Sequence, residues 1–134
     1  MNSFKYIDNL SEICPNFDRI DKSCVYRLIK GTTPIEDDFV PLYYSTKRRY
    51  WKEVDDCKAK GLSLFENIED IKHLLNNIPN QKEKYKSIYQ GQIDINDGDI
   101  YKTPVTKRPS HRTFYAYDVC DELESFTKKV EEWN

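Results

Sequence analysis

A chain of 134 residues is long enough to bury one hydrophobic core and too short for two, so a single domain over residues 1–134 is expected. One third of the residues are charged, yet 10 Tyr, 6 Phe and 2 Trp supply bulky apolar surface, which excludes a disordered chain. The formal net charge of -2 argues against a dedicated DNA-binding protein. No apolar run approaches about 18 residues and no basic-then-apolar leader opens the chain, so a soluble, cytoplasmic protein with no membrane partner is expected.

In chain order, Phe4, Ile7, Leu10 and Ile13 recur at a spacing of three and predict a short helix within 3–16 that stops before Pro15. Residues 24–29 read as a strand ending at Gly31. Val25, Arg27 and Ile29 point one way along it and Cys24, Tyr26 and Leu28 the other, which sets an arginine between two β-branched neighbours. A guanidinium there requires a carboxylate, phosphate or carbonyl partner, or reaches water from an edge strand.

Thr33, Pro34 and Glu36 read as N-cap, N1 and N3 of a capping box that starts a helix, with Pro41 ending or kinking it near Val40. The loop that follows mixes Lys47, Arg48, Arg49 and Lys52 with Tyr50 and Trp51, a combination able to hold single-stranded nucleic acid by phosphate contact and stacking. Next come a short strand over 61–65 and a helix capped by Asn67, whose buried stripe is Ile68, Ile71, Leu74, Leu75 and Ile78. His73 lies off that stripe and reads as solvated. A strand over 86–95, a turn over 96–99 and a return arm over 100–102 form a hairpin. A proline-marked loop over 104–109 carries Lys107 and Arg108, and Arg112 follows, with no acid between 101 and 113. Residues 121–133 place Leu123, Phe126, Val130 and Trp133 on one face of a closing helix expected to dock on the sheet.

The densest signal is the strand over 110–117. His111, Thr113, Tyr115 and Tyr117 share one face, while Arg112, Phe114 and Ala116 share the other. The first face is either a solvated sheet surface or the wall of a polar pocket. Cys14, Cys24, Cys57 and Cys120 form no C-x-x-C pair, so reduced thiols and no metal site are expected. With only 4 Gly there is no glycine-rich phosphate loop, and no H-E-x-x-H pairs the two histidines.

The element order describes an α+β domain, a twisted and mostly antiparallel sheet with flanking helices. A first strand bearing Tyr26 and Arg27, then the Gly61-x-Ser63-x-Phe65 strand running straight into a Glu66-x-x-Glu69-Asp70 helix, resembles the small ADP-ribosyltransferase-like domains, including the RES-type toxins. The resemblance implies NAD or a related nucleotide as ligand and a role as a bacterial toxin or defence effector. It carries Arg27 to the NAD phosphate or ribose contact, Ser63 to the short serine-bearing strand, and Tyr26 to the pocket wall. The glutamate that many members carry on a later strand has no counterpart, since no Glu occurs between Glu83 and Glu122, and His111 stands where it could serve instead.

The residues themselves fit that chemistry. A pyrophosphate needs a bidentate cation such as Arg27, a nicotinamide ring needs an aromatic face such as Tyr115 or Tyr117, and His111 could order ribose hydroxyls or act as a base. Two other readings stand beside it. A non-catalytic protein-binding module, such as an immunity protein or antitoxin, predicts an exposed patch and no pocket. A nucleic-acid-binding module predicts a continuous groove joining Lys47, Arg48, Arg49, Tyr50 and Trp51 to Lys107, Arg108 and Arg112.

Overall fold

Period-two alternation in the chain produces strands that all join one sheet. The computed structural model describes residues 3–45 and 56–133. Its strands are β1 (Arg19–Ile20), β2 (Lys22–Ile29), β3 (Leu62–Phe65), β4 (Ser87–Asp94), β5 (Gly98–Lys102), β6 (His111–Ala116) and β7 (Lys128–Glu132). They lie in the order β1-β5-β6-β3-β2-β4-β7 with every pairing antiparallel, and the sheet curls into a half-barrel. Short helices flank it: α1 (Leu42–Ser45), α2 (Asp56–Ala59), α3 (Ile68–Asn77), α4 (Gln81–Lys84) and α5 (Glu122–Ser125). The α+β expectation of a mostly antiparallel sheet therefore holds. Among the described residues no helix is long and apolar enough to cross a membrane.

Alternation sorts the side chains onto two faces. On one, Val25, Ile29, Leu64, Ile100 and Phe114 form a core covered by Phe39 and Phe126. Phe126 seats directly on Gly91, where a Cβ would lie 2.7 Å from its ring. On the other face two separate clusters form. Ile71 and Leu75 of α3 pack on Phe65 and Ile88, while Ile7 and Ile13 of the N-terminal segment pack on Tyr115. Ser63, His111 and Thr113 occupy this same face between the two clusters, which leaves room for a cleft.

Five expectations need correction. The 86–102 stretch is not a hairpin: after the turn, β5 leaves its neighbour in sequence and pairs with β1 and β6, while β4 pairs with β2 and β7. The N-terminal helix shrinks to one 3-10 turn, Leu10–Glu12, capped by the Asn9 side chain, because Ile7 and Ile13 are held on Tyr115 and Asn16 takes a left-handed conformation at φ 68°. Thr33 does not cap. The Asp38 carboxylate accepts from the backbone N–H of Ile35 at 2.8 Å and of Lys30 at 3.2 Å, and the turn is a 3-10 segment, Glu36–Phe39. The closing helix ends at Ser125, after which β7 pairs with the open edge of β4, because an unpaired edge supplies backbone bonds that a short exposed helix cannot match. Finally, Cys14 and Cys57 form a disulfide across 43 residues, with Cys24 and Cys120 left free. The fold brings the N-terminal segment against α2, and the Tyr115 hydroxyl donates to the Cys57 carbonyl at 2.6 Å beside the bond.

Candidate active site

The ladder between β2 and β3 is reduced to one pairing, Tyr26 with Phe65, whereas β2 pairs with β4 along its whole length. Beyond that single rung the strands part, and the gap opens into a cleft of about 350 Å³. Its floor and walls come from Arg27 and Leu28 of β2, Ser63 and Phe65 of β3, His111 of β6, the 37–45 segment, Lys58 and Ala59 of α2, and Val105 and Arg108 of the proline-marked loop.

Arg27 bridges the parted strands. Its Nε donates to the Asp38 carbonyl at 2.7 Å and its Nη1 to the Ser63 carbonyl at 2.8 Å. The carbonyl partner anticipated from the sequence is thus present, twice. Two of the five guanidinium N–H groups are used in this way, and among the described residues no carboxylate pairs with the charge. Burial lowers the pKa of Arg27 from its ordinary 12.5, while Tyr85, Asp38 and Glu122 oppose the change, and the group remains a cation at neutral pH.

His111 is fixed by the start of its strand. The backbone N–H of Glu66 donates to the Ser110 carbonyl at 3.1 Å, Asn67 N–H donates to Ser110 Oγ at 3.0 Å, and Ser110 N–H donates to Asp70 at 2.9 Å, so the N-terminus of α3 clamps the residue before it. The ring lies edge-on to Phe65 at 5.2 Å between centroids. His111 Nδ1 sits 3.0 Å from the Thr103 carbonyl and 2.9 Å from Thr103 Oγ1, and Thr103 Oγ1 is 2.8 Å from Thr113 Oγ1. A carbonyl only accepts, so Nδ1 carries the proton and donates to it. In the neutral ring Nε2 is then an acceptor, and the Ser63 hydroxyl, 2.6 Å away, donates to it.

Burial is the largest cause holding His111 at a pKa of about 4, against an ordinary 6.5. The Thr103 carbonyl opposes the shift, and the nearby cations Lys58, Arg112 and Arg108 add to it. The imidazole is therefore neutral at physiological pH. Around it the cleft carries Arg27, Lys30, Lys58, Lys84 and Arg108 against the two carboxylates of Asp37 and Asp38, and Asp38 is already committed to backbone N–H groups. Such a cleft attracts anions.

Of the residues singled out from sequence, Arg27, Ser63 and His111 converge on this cleft, and Arg108 joins them at its rim. Tyr26, Tyr115 and Tyr117 do not line it. The Tyr26 hydroxyl accepts from Gln90 Nε2 at 3.1 Å, Tyr115 is buried against the disulfide with its pKa pushed up to about 12 by burial, and Tyr117 donates to Asp99 at 3.0 Å. They share the strand face with the site but lie away from the opening. Phe65 and Tyr85 are the aromatic walls instead. Arg112 is ion-paired to Glu66, so a basic groove has lost one of its members. Lys107 is exposed, and Lys47, Arg48, Arg49, Tyr50 and Trp51 lie outside the described residues. His73 is not merely solvated, since Arg108 Nη1 donates to its Nδ1 at 3.2 Å. Sequence reasoning missed Thr103, Lys30 and Asp38. The Thr103 carbonyl has no residue-type signature, whereas Asp38 could have been found as the acid eight residues after Lys30 and three after Ile35.

No family model, curated protein or solved structure matches the chain.

Proposed function

We propose that the cleft is the active site of an ADP-ribosyltransferase-like enzyme acting on NAD or a related nucleotide. The observation that carries the reading is the convergence of Arg27, Ser63 and His111 from three strands on one cationic cleft. The donor set suits the anionic part of a nucleotide: Arg27 would hold the pyrophosphate with help from Lys30 and Arg108, and Phe65 and Tyr85 would flank a planar ring. Bound NAD would supply the glycosidic bond to be broken. The chain's own contribution would be to orient the ribose through the Ser63 and His111 pair and to neutralise phosphate charge through Arg27. A role as a toxin or defence effector belongs to the same proposal. The Cys14 to Cys57 bond favours a compartment that preserves disulfides over the reducing cytoplasm.

The test is nicotinamide release from NAD by the purified protein beside Arg27→Ala and His111→Ala variants of verified folding. Release that both variants lose supports the reading. Absence of release together with absence of NAD binding by calorimetry removes it. The cleft weighs against a pocketless protein-binding module, and the Arg112 to Glu66 pair weighs against a continuous nucleic-acid groove.

A further inference from the structure

We infer that Ser63 is a covalent nucleophile, activated by His111 as general base, toward esters whose acyl group carries its own negative charge. This needs the cleft but neither nicotinamide nor ribose, so it stands or falls apart from the NAD reading.

Three observations carry it. A serine hydroxyl lies 2.6 Å from a histidine nitrogen that can only accept, because the other ring nitrogen is committed to the Thr103 carbonyl. This is the arrangement of nucleophile, base and orienting group that makes a hydroxyl reactive, with a backbone carbonyl in the orienting position. The hydroxyl is exposed and opens into the cleft, where a reacting carbon can reach it. Lastly, Arg27 is hydrogen-bonded to the backbone carbonyl of Ser63 and lines the same cleft, which places a positive charge beside the site where the substrate's carbonyl oxygen would become an oxyanion.

The steps balance without any co-reactant besides water. Ser63 Oγ bonds to the ester carbonyl carbon while its proton moves to His111 Nε2. Collapse of the tetrahedral adduct breaks the bond to the alcohol, which leaves with the proton from Nε2. Water then attacks the acyl-serine, gives a proton to Nε2, and the acid departs as Ser63 recovers its proton. The preference for an anionic acyl group follows from the surroundings of His111. Burial is the largest cause that weakens it as a base, and Lys58 from α2, Arg108 from the proline-marked loop and Arg112 on its own strand add to it. A bound negative charge is drawn to the cations lining the cleft and offsets the part of the effect that Lys58 and Arg108 contribute.

The test is a fluorophosphonate probe followed by peptide mass mapping, beside protein-catalysed hydrolysis of mono-p-nitrophenyl succinate and of p-nitrophenyl acetate, each taken as the rate above a protein-free blank, since the succinate carboxylate attacks its own ester. The expected result is one adduct, on Ser63, absent in Ser63→Ala and formed at least about 100-fold more slowly in His111→Gln, with the succinate half-ester cleaved faster than the acetate. Wild-type labelling supplies a readout that depends on no variant: its rate falls as pH is lowered toward the His111 pKa of about 4. No adduct, an adduct on another residue, or equal labelling of wild type and His111→Gln overturns the nucleophile. Labelling of Ser63 with the acetate cleaved as fast as the succinate overturns the anionic substrate class.

Discussion

Acidification should unload the site's histidine onto the stability of the whole fold. The unfolded chain takes up a proton at His111 near 6.5, whereas the native chain takes it up only near pH 4, because burial comes first among the causes that keep the ring neutral. Between those values the unfolded state binds more protons, so the stability that rests on neutral His111 is complete above 6.5 and is lost as pH falls through 4. At about 1.4 kcal/mol per pH unit the loss approaches 3 kcal/mol, a substantial share of the roughly 5–15 kcal/mol typical of a small domain. Urea unfolding of wild type and His111→Gln, measured from pH 7 down to pH 4, isolates the effect because the carboxylates titrate in both. The wild-type advantage should shrink by about 3 kcal/mol across that range. Two stability curves that run parallel would refute the argument that His111 is held neutral by burial.

Other outcomes follow from the same structure. Reducing the Cys14 to Cys57 bond, or Cys57→Ser, frees a loop spanning 43 residues and should cost about 4 kcal/mol on chain-entropy grounds, read as a lower urea midpoint. Gly91→Ala drives a methyl to 2.7 Å from the Phe126 ring and should destabilise by about 1–3 kcal/mol, with a matching drop in melting temperature. Asp38→Ala removes the acceptor of the Lys30 and Ile35 N–H groups and should cost about 1–2 kcal/mol in urea titration. It should also weaken ligand binding, because loss of those two bonds loosens the turn whose Asp38 backbone carbonyl, kept in the variant, positions Arg27.

The strands that carry the site were legible because period-two alternation is strong in them. On β6, Phe114 and Ala116 do pack in one core while His111, Thr113 and Tyr115 face the other way, and the Asn67 cap does start α3. What alternation does not encode is the order of strands. With β3 between β2 and β6, the cleft falls at the His111 end of β6 rather than at its tyrosines, and so Tyr115 and Tyr117 share the face but miss the opening. Arg27 was legible as a guanidinium needing partners, but the partners are backbone carbonyls, to which no residue type points. The same holds for the Thr103 carbonyl behind His111. For β7, all five residues from Lys128 to Glu132 are exposed, so no burial pattern marks them, and the free edge of β4 decides their conformation. The disulfide joins cysteines 43 residues apart, and only tertiary proximity reveals it.

Calorimetric titration with ADP-ribose bears most directly on the central claim, because that ligand carries the pyrophosphate and ribose of NAD without a bond to be turned over. One-to-one binding that weakens at least about tenfold in Arg27→Ala is the predicted result, as expected for loss of a charge-assisted contact. The absence of heat with wild type, or equal affinity in Arg27→Ala, would contradict it.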